Sequence, residues 1–427
     1  MSRFVIRGGR PISGTHRTPG NKNAALPMLA ACLLTDEPVT LSNLPLIADV
    51  RTMLDLLDGM GVEVGLDEPA RTVRLQARRI RTTRLNRKLC GRVRSSILFA
   101  GPLVARCGSA VIYPPGGDVI GRRRVDTHLA GLQQLGVTVR TNGTYTFRTK
   151  GLVGARLLLD EASVTGTENL LMAAVLAKGR TVLYNSACEP HVQDLCRMLV
   201  AMGATIEGIG TNLLTIEGVE RLHGVEARVG PDFIDAGSYL VAALVTGGEL
   251  RIQDVQAADF EALARPFTRF GVKWSLDNGT LHVPARQRLR TSYDLGDAIP
   301  KIEDGPWPAF PSDLMSVLIV LATQTRGTAL FFEKMFESRL YFVDHLIGMG
   351  ARIVQCDPHR VVVTGATALH GTRVASPDIR AGMALLVAAL CAKGETAILN
   401  AESIDRGYER VEEELRRLGA SITRETE

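Results

Sequence analysis

The sequence predicts a two-domain α/β protein of inside-out type, in which each domain is a prism with buried central helices and strands outside. Three observations lead to this fold class. The chain has 427 residues, enough for two or three domains. A phrase of the form apolar-Gly-x-x-apolar recurs six times, beginning at residues 60, 135, 202, 270, 349 and 418. The same order of hydrophobic patterns precedes each phrase.

The third repeat shows the predicted elements in order. Its segment NLLMAAVLA is too evenly apolar for a surface helix, so we expect a buried helix. A glycine turn leads to TVLYN, whose β-branched and aromatic residues favour a strand. An amphipathic helix follows, with Val192, Leu195 and Leu199 on one face, and ends at the glycine of the phrase. A final strand pair completes a βαβαββ-type repeat of roughly 70 residues.

The six repeats divide naturally into two domains of three. We place residues 22–230 in domain I, and residues 1–21 with 231–427 in domain II. The N-terminal segment precedes the first repeat, and we expect it to pair with the last strands of the sixth. Two chain crossings between domains favour a hinge, and an interdomain cleft is a common ligand site.

Composition excludes several classes of protein. No apolar run reaches the roughly 18 residues of a membrane span, and the N-terminus lacks an export signal, so we expect a cytoplasmic protein. The seven scattered cysteines form no CxxC pair, which favours reduced core residues over a zinc site. Walker and Rossmann phosphate-binding motifs are absent, and the basic residues have no aromatic platform for nucleic acid.

Six basic residues share one kind of position, at the predicted starts of buried or amphipathic helices. They are Lys22, Arg94, Arg123, Arg339, Arg380 and Arg406. A cation at a helix N-terminus is unfavourable unless an anion binds there. If the two domains face each other, these cations converge on one cleft. They then need a multiply charged ligand, such as a phosphorylated carboxylic acid or a nucleotide diphosphate.

Two acidic residues lie where a catalyst could use them. Asp118 lies in PPGGDVIGRRRVD, whose glycines predict a mobile loop that closes on an anion. Asp313 begins the fifth buried helix, where it could cap the helix or act on a ligand.

Motifs along nearly the whole chain resemble those of the enolpyruvyltransferase family. They are GNKNAALP (20–27), RSSILFAGPLVAR (94–106), PPGGDVIGRRRVDTHLAGLQQLG (114–136), SACEPHVQDL (186–195), AFPSDL (309–314), FESR (336–339), PDIRAG (377–382) and IDRGYER (404–410). The motifs are similar to the branch that uses a UDP-sugar acceptor. They do not match the sister 5-enolpyruvylshikimate-3-phosphate synthases, which share the fold.

The resemblance implies transfer of the enolpyruvyl group of phosphoenolpyruvate to the 3-hydroxyl of UDP-N-acetylglucosamine. Phosphate is released through a tetrahedral ketal, in the first committed step of peptidoglycan synthesis. The resemblance implies no metal, organic cofactor, nucleic acid, membrane or obligate protein partner.

The resemblance also implies roles for individual residues. Asp118 would be the general acid, and Asp313 would accept the hydroxyl proton. The residues implied at phosphoenolpyruvate are Lys22, Asn23, Arg123 and Arg406, with Arg339 and Arg380 at its carboxylate; Lys22 and Arg406 also count as catalytic. The residues implied at the UDP-sugar are Asn23, Arg94, Arg123, Arg124, Val125, Asp126, Thr127, Glu161, Ser163, Val164, Asp313 and Met335.

The chain departs from the family pattern at three places. Most members carry Cys where this chain has Asp118; fosfomycin alkylates that Cys, so we expect insensitivity. In EASVTGT, Glu161 replaces a usual Lys and Thr165 a usual Gly, and a carboxylate would repel a diphosphate. The segment AIPKIEDGPWP before Ala309 resembles an insertion beside the proposed base.

These departures leave two alternatives open. One is enolpyruvyl transfer to a different nucleotide or nucleotide sugar in secondary metabolism. The other is a non-catalytic protein that binds a phosphorylated anion. Asp118 and Asp313 argue against a mere anion binder, because their carboxylates would repel its ligand.

Overall fold

A computed structural model gives the structure of residues 2–118 and 120–426. The α-helices are α1 Lys22–Ala31, α2 Ala48–Gly59, α3 Arg87–Cys90, α4 Ala100–Cys107, α5 Asp126–Gln134, α6 Val164–Ala174, α7 Pro190–Ala201, α8 Phe233–Thr246, α9 Ala257–Arg269, α10 Ser312–Gln324, α11 Val343–Gly348, α12 Ile379–Cys391 and α13 Val411–Arg417. None of these helices is long and apolar enough to cross a bilayer.

Short strands alternate with the helices. They are β1 Ser2–Arg7, β2 Ser13–Arg17, β3 Val39–Ser42, β4 Glu63–Asp67, β5 Thr72–Gln76, β6 Ser109–Ile112, β7 Thr138–Thr141, β8 Tyr145–Arg148, β9 Arg156–Leu158, β10 Arg180–Tyr184, β11 Thr205–Glu207, β12 Leu213–Glu217, β13 Val225–Arg228, β14 Glu249–Gln253, β15 Ser275–Asp277, β16 Thr280–Val283, β17 Lys301–Glu303, β18 Gly327–Phe332, β19 Arg352–Asp357, β20 Arg360–Gly365, β21 Arg373–Ala375, β22 Glu395–Leu399 and β23 Ser421–Thr426.

The chain forms two compact units. The N-terminal unit comprises residues 20–118 and 123–230, and the C-terminal unit comprises the described residues of 1–19, 119–122 and 231–427. Residues 120–122 therefore belong to the C-terminal unit, although the chain on both sides of them belongs to the N-terminal unit.

Three central helices form the core of the N-terminal unit. Helices α1 and α6 are almost wholly buried, and α4 is buried over residues 100–104. Three sheets cover them, with strand orders β13-β3-β5-β4, β6-β8-β7 and β11-β12-β10-β9.

The C-terminal unit repeats this arrangement. Helices α8, α10 and α12 contact one another at its centre, and nearly every residue of each is buried. The sheet orders are β15-β16-β14-β2, β17-β18-β20-β19 and β21-β22-β1-β23. Buried helices inside outer sheets confirm the predicted fold class in each unit.

The glycine of the recurring phrase has the same conformation in all six repeats. Gly61, Gly136, Gly203, Gly271, Gly350 and Gly419 have φ between 73° and 106°. Residues with a Cβ rarely adopt such backbone angles, so glycine is needed where each outer helix turns into the next strand.

The N-terminal strand pairs as expected from the sequence. β1 lies antiparallel between β22 and β23, with Phe4 opposite Ile398 and Arg424. The first residues of the chain thereby complete the sixth repeat.

Some positions in the repeat were predicted wrongly. Arg123 precedes α5, and Arg406 ends a 3₁₀ segment, Ala401–Arg406, before α13 begins. The outer helices differ in length and in their first turn. The number of residues between a helix start and the glycine of the recurring phrase is therefore not constant, and it does not predict where the helix begins.

Candidate active site

The C-terminal unit contains a buried cluster of one aspartate and two arginines. Arg339 Nη2 donates to Asp313 Oδ1 at 2.9 Å, while Arg380 Nε and Nη2 donate to Asp313 Oδ2 at 3.0 and 2.9 Å. The arginine side chains are 3% and 6% exposed, and that of Asp313 is 27% exposed. Three predicted site residues thus lie together, and the cluster carries an excess positive charge.

Neighbouring acids keep both guanidinium groups charged. Burial opposes the charge on Arg380, but Asp313, Tyr408 and Asp232 outweigh it and raise its pKa above the ordinary value. The same balance raises the pKa of Arg339, where burial is outweighed mainly by Asp313.

Two donors of this cluster are unsatisfied. Arg339 Nε and Arg380 Nη1 are buried and make no hydrogen bond to the described residues. A buried donor without an acceptor costs free energy, so these groups are suited to receive an anion. Guanidinium forks match carboxylate geometry well.

Helix ends position the cluster. Asp313 lies in the first turn of α10, after Pro311. Asp378 caps α12, its Oδ1 accepting the backbone N–H groups of Arg380 at 2.8 Å and Ala381 at 3.0 Å. Sequence reasoning missed Asp378, although an Asp just before a predicted buried helix is the ordinary signal of an N-cap.

Lys22 has a separate setting in the N-terminal unit. It is the first residue of α1, which Asn21 caps through its side chain, and Asn23 follows half-buried. Lys22 Nζ lies 2.7 Å from Asp49 Oδ2, and both side chains are at most 10% exposed. Asp49 therefore holds the ammonium group where the sequence predicts anion binding.

A second basic cluster of the N-terminal unit surrounds Arg94. This residue begins a 3₁₀ segment, and its Nη2 donates to the Arg124 carbonyl at 2.8 Å. Burial, reinforced by the charge of Arg123, lowers the pKa of Arg94 to about 10, while Tyr145 and Glu161 act in the opposite sense. Like charges held this close favour binding of an anion.

Glu161 lies at the edge of this basic cluster. Burial, with the charge of Asp160, raises the pKa of its carboxyl group, while a hydrogen bond with Thr127 and the charge of Arg94 lower it. Burial and Asp160 therefore outweigh the attraction between Arg94 and the Glu161 carboxylate. The Thr127 hydroxyl also donates to Asp160 Oδ1 at 2.6 Å.

Two further residues that the sequence predicts at the UDP-sugar lie at the start of α6, and two lie around the start of α5. Ser163 caps α6 by accepting the Gly166 N–H at 3.2 Å, and Val164 is its first residue. Val125 precedes α5, which begins at Asp126.

Residues 120–122 of the glycine-rich loop contact a turn within the C-terminal unit, to which they belong. The Arg122 N–H donates to Glu337 Oε2 at 3.1 Å, and the Ser338 N–H donates to the Ile120 carbonyl at 3.3 Å. Gly121 has φ +123°, and a Cβ there would lie 2.2 Å from Glu337 Oε2. This position requires glycine. Asp118 is half-buried just before this stretch.

The remaining predicted residues lie on turns of the C-terminal unit. Met335 is 40% exposed. Arg406 precedes Gly407, which packs against Ile379 at the start of α12. Within the described residues, no group of three or more His, Cys, Asp or Glu is placed to hold a metal ion.

Comparison with known proteins places this geometry in a family. Residues 6–415 match the family model for EPSP synthase (3-phosphoshikimate 1-carboxyvinyltransferase). The UDP-N-acetylglucosamine 1-carboxyvinyltransferase of Treponema pallidum is 53% identical over all of both chains. The Treponema denticola enzyme of the same name is 51% identical, with 99% of each chain covered. This chain belongs to the UDP-N-acetylglucosamine 1-carboxyvinyltransferase family.

The carboxyvinyltransferase fold extends to more distant structures. The enolpyruvyl transferase NikO from Streptomyces tendae has a TM-score of 0.89 at 24% identity, covering 100% of this chain and 99% of its own. EPSP synthase from Acinetobacter baumannii has a TM-score of 0.79 at 18% identity, with 100% of both chains covered. These structures show the fold that the sequence predicts. The family model and the relatives with about 50% identity show that the protein is an enzyme of the transferase class.

Proposed function

We propose that the protein transfers the enolpyruvyl group of phosphoenolpyruvate to the 3-hydroxyl of UDP-N-acetylglucosamine and releases phosphate. The observation that supports it best is the buried pair Arg339 and Arg380, which share Asp313 and keep unsatisfied N–H donors. Such a pair suits a substrate carboxylate next to a base. Relatives more than 50% identical and named after UDP-N-acetylglucosamine favour this acceptor over another nucleotide.

The reaction proceeds in two steps, an addition and an elimination. In the addition, the sugar oxygen bonds to C2 of phosphoenolpyruvate, C3 gains a proton and the hydroxyl loses one, giving a tetrahedral ketal. In the elimination, C3 loses a proton, the bond from C2 to the phosphate oxygen breaks, and the double bond re-forms as phosphate leaves.

The residues take the roles that the resemblance implies. Asp118 protonates C3 and Asp313 accepts the hydroxyl proton. Lys22, Arg123 and Arg406 bind the phosphate, Arg339 and Arg380 bind the carboxylate, and Asn23 also contacts phosphoenolpyruvate.

The UDP-sugar contacts belong to the same proposal. They are Asn23, Arg94, the stretch 123–127, Glu161, Ser163, Val164, Asp313 and Met335. Burial and the charge of Asp160 raise the pKa of Glu161, and a partly neutral carboxyl group would repel a diphosphate less than a full carboxylate.

The cellular setting follows from this reaction. We place it in the cytoplasm, at the first committed step of peptidoglycan synthesis, and thus in cell-wall formation, cell shape and division. The proposed reaction needs no nucleic acid, membrane or obligate protein partner. We further propose that the N-terminal and C-terminal units correspond to domains I and II.

The test is phosphate release from phosphoenolpyruvate with four acceptors. These are UDP-N-acetylglucosamine, UMP, UDP-glucose and shikimate 3-phosphate, each with and without fosfomycin. Turnover with UDP-N-acetylglucosamine alone, unaffected by fosfomycin, is the expected result. Turnover only with another acceptor overturns the substrate assignment, and no turnover with any acceptor overturns the proposed function.

A further inference from the structure

A second acid pair, Asp304 and Glu333, lies buried in the C-terminal unit. Asp304 directly follows β17 and Glu333 directly follows β18, and these strands pair in parallel, so the two acids share one sheet edge. Asp304 is 1% exposed and Glu333 is 0% exposed. Burial, reinforced by a hydrogen bond with Asp304, raises the pKa of Glu333 to about 9.

The hydrogen bonds around this pair are compatible with a proton shared between the two acids. Asp304 Oδ1 accepts the Lys334 N–H at 2.5 Å, and its Oδ2 is buried without an amide or hydroxyl donor among the described residues. Glu333 Oε1 accepts the Ser312 hydroxyl at 2.8 Å and the Phe336 N–H at 3.2 Å. Two facing carboxylates in such a site repel unless one carries a proton.

The pair holds the turn formed by residues 334–338. Asp304 fixes the start of the turn through Lys334, and Glu333 fixes its middle through Phe336. The Phe336 carbonyl then accepts the Arg339 N–H at 3.3 Å, and the Arg339 guanidinium lies 5.1 Å from the Phe336 ring centre.

The same pair fixes the start of α10. Ser312, which donates to both oxygens of Glu333, directly precedes Asp313. One buried acid pair thus connects to both members of the Asp313–Arg339 contact. The outer side of the turn, through Glu337 and Ser338, receives loop residues 120–122.

We propose that Asp304 and Glu333 are positioning residues whose shared proton shapes the 334–338 turn, which sets Arg339 against Asp313 and receives the glycine-rich loop. The role of these residues in turnover rests on the proposed function. The segment that supplies Asp304 is the one that the sequence marks as an insertion.

The other charged groups around Glu333 set the pH range of this effect. The charge of Arg339 favours ionisation of Glu333, while Asp304 opposes it. Lys334 Nζ pairs with Glu303 at 3.0 Å, and His359 Nδ1 lies 2.7 Å from the Glu333 carbonyl oxygen. Arg339 also pairs with Asp313, so its charge is shared between Asp313 and the acid pair.

The decisive variant is Glu333→Gln. Its amide oxygen can accept from Ser312 and Phe336 while its NH₂ donates to Asp304 Oδ2, which mimics the protonated pair at every pH. In the wild type, kcat/KM for phosphoenolpyruvate should fall about tenfold per pH unit above about pH 9. In Glu333→Gln this alkaline fall should be absent.

Two further variants separate positioning from general stability. Glu303→Gln removes a half-buried acid beside Asp304 and should follow the wild-type pH profile. Glu333→Ala removes the turn's acceptor and should lower kcat and raise KM for phosphoenolpyruvate, together about tenfold or more in kcat/KM at neutral pH, because Arg339 loses its support. If Glu333→Ala does not fold, Glu333→Gln still carries the test.

An alkaline fall in Glu333→Gln equal to that of the wild type overturns the proposal. The proposal is also overturned if Glu333→Gln loses the same fraction of its activity at every pH and this loss matches a fall in its thermal midpoint.

Thermal unfolding tests the shared proton of Asp304 and Glu333 independently of the proposed function, because it does not require turnover. Because the pKa of Glu333 is higher in the folded than in the unfolded chain, its folding contribution is lost progressively from about pH 4.5 to about pH 9. The wild-type midpoint should therefore fall relative to Glu333→Gln across that range, even if no acceptor is turned over. Parallel midpoints overturn the shared proton itself.

Discussion

At the residue scale, the candidate site depends on charges buried without full compensation. Asp313 balances only one of the charges on Arg339 and Arg380, and both arginines keep a buried unsatisfied donor. Both oxygens of Asp313 therefore accept hydrogen bonds from guanidinium groups in the substrate-free chain. We infer that a substrate carboxylate must first draw the guanidinium groups towards itself before Asp313 accepts a proton.

The loop acid allows a direct chemical test at this scale. Asp118→Cys restores the residue that most family members carry, and a thiol can also deliver a proton. We expect retained turnover together with inactivation by fosfomycin and a corresponding mass increase. Asp118→Ala should lose about 10²- to 10⁴-fold in kcat, the usual contribution of a general acid. Full turnover in Asp118→Ala would contradict the assigned role.

At the element scale, helix caps and strand contacts place the site residues. Asp378 satisfies the first N–H groups of α12 and thereby sets the backbone of Arg380. His16 of β2 connects two helices, since its Nε2 lies 2.6 Å from Asp235 of α8 and its Nδ1 lies 2.7 Å from Glu414 of α13.

The cap of α12 should contribute measurably to stability. Asp378→Ala leaves the N–H groups of Arg380 and Ala381 without their acceptor, and should cost about 1 kcal/mol of unfolding free energy. Asp378→Asn keeps an acceptor oxygen and should lose only a few tenths of that amount. Urea denaturation of both variants checks this, and equal losses would show that the charge of Asp378, not its cap, matters.

The His16 contact should make stability depend on pH. Burial lowers the pKa of His16, but Asp235 and Glu414 outweigh burial and raise this pKa to about 9. Burial raises the pKa of Glu414, but His16 and Arg417 outweigh burial and lower this pKa to about 2. The contribution of His16 is fully present below about pH 6.5, where the unfolded histidine is also charged, and is lost as pH rises through about 9.

Comparison with a neutral variant isolates this effect. The thermal midpoint of the wild type should fall between pH 6.5 and 9 more steeply than that of His16→Gln, which does not titrate. Identical slopes would mean that His16 is neutral in the folded chain.

At the scale of the whole molecule, each compact unit has its own core of three helices. Leu171 of α6 and Leu318 of α10 are both 0% exposed and lie in different cores. Proteins with separate cores often unfold in more than one step.

Matched core truncations test this independence. Leu171→Ala and Leu318→Ala should each cost about 2–5 kcal/mol, and each should shift a different transition in urea unfolding. We expect two transitions when fluorescence and circular dichroism are followed together. A single transition, shifted equally by both substitutions, would show that the two cores unfold as one.

Much of the candidate site could be predicted because basic residues stand at repeat positions where an apolar or neutral residue is expected. An arginine at the start of an otherwise apolar helix is visible without a structure, and Arg94 and Arg380 became candidates this way, while Arg339 became one at the predicted start of an amphipathic helix. The motifs then implied roles for Asp118 and Asp313. Arg406 was located by motif, while its expected place at a helix start was wrong because a 3₁₀ segment precedes α13.

Other features could not be predicted because they join distant parts of the chain. Glu333 and Asp304 are 29 residues apart and meet only because β17 pairs with β18. His16 meets Glu414 across 398 residues. An isolated acid or histidine in the sequence resembles an ordinary surface residue.

The sequence by itself determined the fold class, the six repeats and the family, because hydrophobic period and turn glycines act locally and recur. Only the tertiary structure decided which charges pair, which donors stay unsatisfied and which two acids lie together at a sheet edge. Those outcomes depend on burial and on distances of a few ångströms between segments far apart in sequence, and the energy of a charge in a protein varies with both.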